Sequence, residues 1–79
     1  HKTHKARSIE ALIEFYPGIR FALIGDNTQA DAVAYAEVVE KHPGRIAAVF
    51  IRQAPGADLS QEELAAFAAI EAAGVKLWP

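Results

Sequence analysis

The 79-residue chain contains no cysteine. That excludes a disulfide framework, a thiolate zinc site and a cysteine nucleophile. It also lacks an excess of basic residues. Eight Lys and Arg stand against ten Asp and Glu, giving a formal charge of −2 and a pI near 5.9. No electrostatic footprint for nucleic acid exists. No apolar run approaches the ~20 residues of a membrane span, and no signal peptide is visible. Repeats and low-complexity linkers are absent too. What remains is a globular composition, 52% hydrophobic and 23% charged, sized for one domain. Much of the apolar share is alanine, which buries little area per residue. A chain this short hides only roughly 60–65% of its unfolded surface. Its core is therefore expected to be marginal unless something else covers one face. The chain begins with His1 rather than Met and closes just after Val75-Lys76-Leu77-Trp78. It reads as a segment of a longer protein.

Two periodicities alternate along it. Ile9, Leu12, Ile13 and Tyr16 recur at i, i+3, i+4, i+7, one apolar helix face. Thr3 is a candidate cap, and Pro17-Gly18 ends the helix. Arg20-Phe21-Ala22-Leu23-Ile24 then reads as a buried strand. A second helix is expected over about 29–42, with Asn27 or Thr28 as its cap and Ala32, Val33, Ala36 and Val39 on its buried face. His42-Pro43-Gly44 stops it. Residues 45–51 read as a second strand. Turn formers cluster around Gln53 to Asp58. Ser60-Gln61-Glu62-Glu63 is a capping box opening a third helix to about Ala73, with Gly74 at C′. A third strand follows over 75–78. The α-β-α-β-α-β order predicts an α/β fold with a parallel sheet covered by helices on both faces.

Ligands of such sheets bind at the carboxyl ends of strands. The loop running from Gly25 to Asp31 is the richest there. Gly25 lets the backbone bend tightly after Ile24. Asp26 then projects from the sheet edge, and Asp31 in the first helical turn points back toward it. Two converging carboxylates repel unless a cation separates them, and hard oxygen ligands of this kind suit Mg²⁺. The plainer reading has Asp26 capping the helix and Asp31 complementing its dipole. Spacing alone leaves both readings standing. Lys5 is read as preceding the first helix, where a lysine opposes the dipole, and is a candidate phosphate contact as a point charge. A solvated surface lysine is the alternative, and Lys2 competes for the same role. His1 and His4 have a chelating spacing but lie at the chain terminus and are not read as a metal site. Arg52 sits at the right sheet edge to meet an anion, yet arginines at strand ends commonly form structural ion pairs. Trp78 reads as core or as the cover of an edge. Ser60 is a cap and not a nucleophile, because no histidine is placed to relay its proton.

Taken in order, these features resemble a known family. His4-Lys5 followed by Ile9, Tyr16-Pro17 before Phe21-Ala22-Leu23-Ile24-Gly25-Asp26, then Gln29, Asp31 and Tyr35, then His42-Pro43-Gly44-Arg45-Ile46 and Ile51-Arg52 are similar to the C-terminal half of the App1-type phosphatidate phosphatase catalytic domain. That domain belongs to the haloacid-dehalogenase (HAD) superfamily. The resemblance spans residues 4–52, and its combined spacing is more specific than any single piece. It implies that Lys5 is the lysine that steadies the phosphoryl group, and that Asp26 and Asp31 are the acidic pair that holds Mg²⁺, Asp31 acting through water in one version. It implies a phosphate-bearing substrate, phosphatidate, hydrolysed to diacylglycerol, and a cytoplasmic location. Two departures touch the loop: Asn27 and Thr28 stand where Ser and Gly are frequent, and Ala32 where Pro is. The family's nucleophile lies in a DxDxT-like run, whereas the only aspartates here are Asp26, Asp31 and Asp58. Phosphoryl transfer needs a nucleophile as well as a metal. The resemblance therefore implies that the rest of the parent chain supplies it and that these residues alone are inactive. No basic amphipathic helix is present to recruit a membrane. A non-catalytic α/β binding or regulatory module is the rival reading, since fold alone does not choose.

Overall fold

A computed structural model of the chain describes residues 2–26, 31–53, 56 and 58–78. Six elements alternate: α1 (Lys2–Phe15), β1 (Phe21–Asp26), α2 (Asp31–Lys41), β2 (Ile46–Arg52), α3 (Gln61–Ala72) and β3 (Lys76–Trp78). The three strands are parallel in the order β1-β2-β3. The α/β class and the parallel sheet are those the periodicities predict.

The layering differs from the expectation of helices on both faces. α2 packs between α1 and α3 and against β1 and β2, while α3 lies on β3. The three helices thus form one layer. Strand order supplies the reason. Each added strand lies on the same side of the last, so two right-handed crossovers put both connecting helices on the same face. The strands accordingly alternate instead of being buried throughout. Leu23, Val49 and Leu77 are register partners turned to the helices. Their neighbours Ile24, Phe50 and Trp78 form a second row, 75%, 40% and 47% exposed. Trp78 is therefore not core. Its ring stacks on Phe50 at 6.3 Å between centroids, on the uncovered face.

Boundaries shift in informative ways. Thr3 lies inside α1 and does not cap it, and Lys5 is in the first turns of that helix and does not precede it. Of the expected α1 face, Ile13 is buried beside Ala6, whereas Leu12 and Tyr16 are half exposed. This follows from α1 flanking the layer, with α2 its main neighbour. α2 is buried nearly all round, at Ala32, Ala34, Tyr35, Ala36, Val38 and Val39, because it has a helix on each side and the sheet beneath. The caps expected at Asn27 and Thr28 fall outside the described residues, as do His1 and part of the turn around Pro55. The Ser60 capping box forms as read: Ser60 Oγ accepts from the Glu63 amide at 3.1 Å, and Glu63 Oε1 accepts from the Ser60 amide at 2.9 Å. Gly74 follows the Ala73 C-cap with φ +82°, the left-handed geometry that glycine tolerates best.

Polar clamps at Arg45 and His42 help to hold α1 to the rest. The Arg45 guanidinium, just ahead of β2, donates to the carbonyls of Ile13, Tyr16 and Ile19 at 2.6–3.2 Å. It thereby ties the α1–β1 connection to the amino end of the sheet. His42 Nε2 and Glu10 Oε2 meet at 2.9 Å and join α2 to α1. Among the described residues no helix is long and apolar enough to cross a membrane.

Candidate functional site

β1 runs through Asp26, two residues beyond the predicted strand, because parallel pairing with β2 continues to Gly25↔Ile51 and Asp26↔Arg52. Asp26 is therefore the last residue of a strand, at the carboxyl end where such sheets bind ligands. Asp31 opens α2. Its position in the first turn complements the helix dipole, as the plainer reading holds. Its carboxylate does more than that. Oδ1 accepts from Lys5 Nζ at 2.6 Å and Oδ2 accepts from the Asp26 amide at 3.0 Å. One buried carboxylate, 4% exposed, thus joins three elements: α1 through its lysine, α2 through its own backbone, and β1 through its last amide.

The lysine and the acidic loop are 26 residues apart in sequence. They meet because α1 lies alongside α2, which carries Lys5 over the start of α2. The Lys5 ammonium is pushed above its usual range, first by the hydrogen bond it donates to Asp31; burial opposes the rise, and the charges of Asp31, Tyr35 and Asp26 add to it. It is a firmly held cation at neutral pH.

One turn further along α2, the buried Tyr35 hydroxyl donates to the Ile24 carbonyl at 2.6 Å. Burial raises its pKa, and the Asp31 charge adds to the rise. Between these two anchors sits Gly25. A Cβ there would overlap Asp31 Oδ2 and come within 2.8 Å of the Tyr35 hydroxyl oxygen. The glycine is needed for close approach of strand and helix as well as for the bend its position in the loop predicts.

Beside this cluster, on the uncovered face, an open depression of about 560 Å³ is lined by Ile24, Gly25, Phe50, Ile51, Arg52 and Gln53. Arg52 stands opposite Asp26 in register and is exposed. Lys5, Asp31 and the backbone amide of Asp26 thus meet at one sheet end. Arg52 shares their sheet end. Lys2 lies in α1, but its side chain is outside the description. Among the described residues no group of three or more His, Cys, Asp or Glu side chains converges as a complete metal cage.

The family model for the catalytic domain of phosphatidate phosphatase APP1 matches residues 1–53. The chain belongs to this family. No curated protein and no solved structure matches it. The match takes in α1, β1, α2 and β2, and so every residue of the APP1-family cluster just described. α3 and β3 lie beyond it. Sequence reading missed two participants. Tyr35 appears in the family pattern without a role, and Gly25 was assigned only a turn. The signal for Tyr35 was its i, i+4 spacing from Asp31, which puts both side chains on one face of α2.

Proposed function

We propose that this chain supplies the acidic and cationic part of the active site of a Mg²⁺-dependent, HAD-type phosphatase that hydrolyses phosphatidate to diacylglycerol. In this reading the chain is the C-terminal portion of that catalytic domain, and the remainder of the parent protein contributes the nucleophile. The observation that carries the reading is the Asp31 bridge, which sets a lysine and a second aspartate side by side at the mouth of the parallel strands.

The donor set fits Mg²⁺. The ion accepts one or two protein carboxylates and fills its remaining positions with water and phosphate oxygens. Asp26 would hold the ion directly, and Asp31, with its two oxygens engaged by Lys5 and the Asp26 amide, would act from behind, through water. A bound Mg²⁺ would supply charge neutralisation at the phosphate. Lys5 adds a second positive charge beside that position, and its pairing with Asp31 keeps it protonated and aimed. Preorganised charge of this kind stabilises a transferring phosphoryl group without reorganisation during the reaction. The apolar walls of the adjoining depression, Ile24 and Phe50, with Arg52 at its rim, suit a phosphate attached to a lipid.

The test is phosphate release from phosphatidate vesicles by the full-length protein over a Mg²⁺ titration, with thermal melting in parallel. Mg²⁺ is expected to raise both turnover and the melting temperature, and Asp26→Asn to abolish both effects. A melting shift that persists in Asp26→Asn rejects the metal assignment. A full-length protein that binds Mg²⁺ but releases no phosphate from any monoester favours the non-catalytic module.

A further inference from the structure

We propose that Tyr35 is a positioning residue for the acidic site: its hydroxyl, together with Asp31, fixes the two peptide groups flanking Gly25 and so sets the direction in which Asp26 leaves β1. The consequence for catalysis rests on the phosphatase reading above. The positioning itself does not.

Tyr35 is 4% exposed. A buried phenol needs a hydrogen-bond partner, and Tyr35 finds one on the strand, at the Ile24 carbonyl, 2.6 Å away. Two residues on, the Asp26 amide is held by Asp31 Oδ2 at 3.0 Å. The carbonyl before Gly25 and the amide after it are therefore gripped by side chains at i and i+4 of one helix. Gly25 fits between them only because it has no Cβ. α2 thus holds β1 from the side, in addition to the pairing of β1 with β2, at the strand residue that bears the proposed metal-site carboxylate.

The experiment is Tyr35→Phe in the full chain, which keeps the ring and removes the hydroxyl. Amide hydrogen exchange is read at Asp26, with Val49 in β2 and Ile70 in α3 as internal references. Loss of one such hydrogen bond is expected to speed exchange at Asp26 about tenfold and to leave Val49 and Ile70 unchanged. In an active enzyme kcat falls by about the same factor with KM unchanged. Unchanged exchange at Asp26 overturns the proposal, as does equal acceleration at all three amides, which marks a merely stabilising tyrosine. If Tyr35→Phe does not fold, the wild-type chain provides the measurement. A slowly exchanging Tyr35 hydroxyl proton with NMR cross-peaks to Gly25 is expected, and its absence overturns the assignment. A wild-type protein without phosphatase activity would refute the proposed reaction while leaving the exchange result to stand or fall alone.

Discussion

Removing either end of the Lys5–Asp31 pair should have unequal consequences, because the two ends are unequally buried. The Lys5 side chain is 38% exposed and that of Asp31 only 5%. Asp31→Asn leaves an ammonium that rehydrates in place. What is lost is one charge-assisted hydrogen bond at 2.6 Å, worth about 1.5–3 kcal/mol when sheltered. Solvent screening at the lysine end reduces that to about 1–2 kcal/mol. Lys5→Met instead strands a buried carboxylate with the Asp26 amide as its remaining described hydrogen-bond donor. Breaking a buried pair from that side costs about 2–4 kcal/mol after allowing for that retained bond. In a domain of this size 1 kcal/mol moves the melting temperature by about 4–8 °C, so thermal melts at pH 7 separate the two variants. The folded-state pKa of Lys5 lies above its ordinary value of 10.5, so the pair's contribution is complete below pH 10.5 and disappears as pH rises through the folded value. An Asp31→Asn protein less stable than Lys5→Met at pH 7 would refute the reasoning.

Arg45→Ala removes the donor shared by the carbonyls of Ile13, Tyr16 and Ile19. It should cost about 1–2 kcal/mol in urea unfolding, and an unmoved midpoint would show that water replaces the guanidinium without loss. The Glu10 carboxyl lies below its ordinary value of 4.5, chiefly through its hydrogen bond with His42. The stability this bond supplies is present above pH 4.5 and is lost as pH falls through the lower folded value. Acid unfolding curves should therefore be flatter in Glu10→Gln than in wild type, and identical curves contradict the clamp. The uncovered row Ile24, Phe50 and Trp78 should make the 79-residue chain associate as its concentration rises. Ile24→Glu should weaken that association in sedimentation, and a wild-type chain monomeric at high concentration argues against it.

The order of elements was legible because each segment carries one clear period and clear stops, such as Pro17-Gly18 and His42-Pro43-Gly44. The layering was not. A run such as Phe21-Ala22-Leu23-Ile24 reads as buried on both sides, yet its alternate residues face helices and open space. What decides this is strand order, a non-local property that no window of sequence contains. Alanine hid the status of α2 in a similar way. Ala34 is as buried as Ala32, but a residue so small marks no face in a periodicity count. In the site, the spacing of Asp26 and Asp31 announced a pair, and the strand-end rule located it. The bond from Lys5 to Asp31 depends on how α1 lies against α2, which local pattern does not encode. Tyr35 looked like an ordinary core aromatic because its ring is one; only its hydroxyl has the second role.

These points connect the chain's alanine content to its chemistry. Ala32, Ala34 and Ala36 are buried in the central helix, and small side chains let neighbouring helices approach closely. Close approach is what brings Lys5 of α1 within hydrogen-bond reach of Asp31, and what sets Tyr35 and Asp31 against a glycine on β1. Each of the three polar anchors described above uses an α2 side chain. It follows that enlarging a buried α2 alanine, for example Ala34→Leu, should disturb the Lys5–Asp31 bond before it disturbs strand pairing. Lys5 ammonium shifts and β2 amide exchange, followed together, check that order. Loss of β2 protection ahead of any change at Lys5 would place control of the site in the sheet instead.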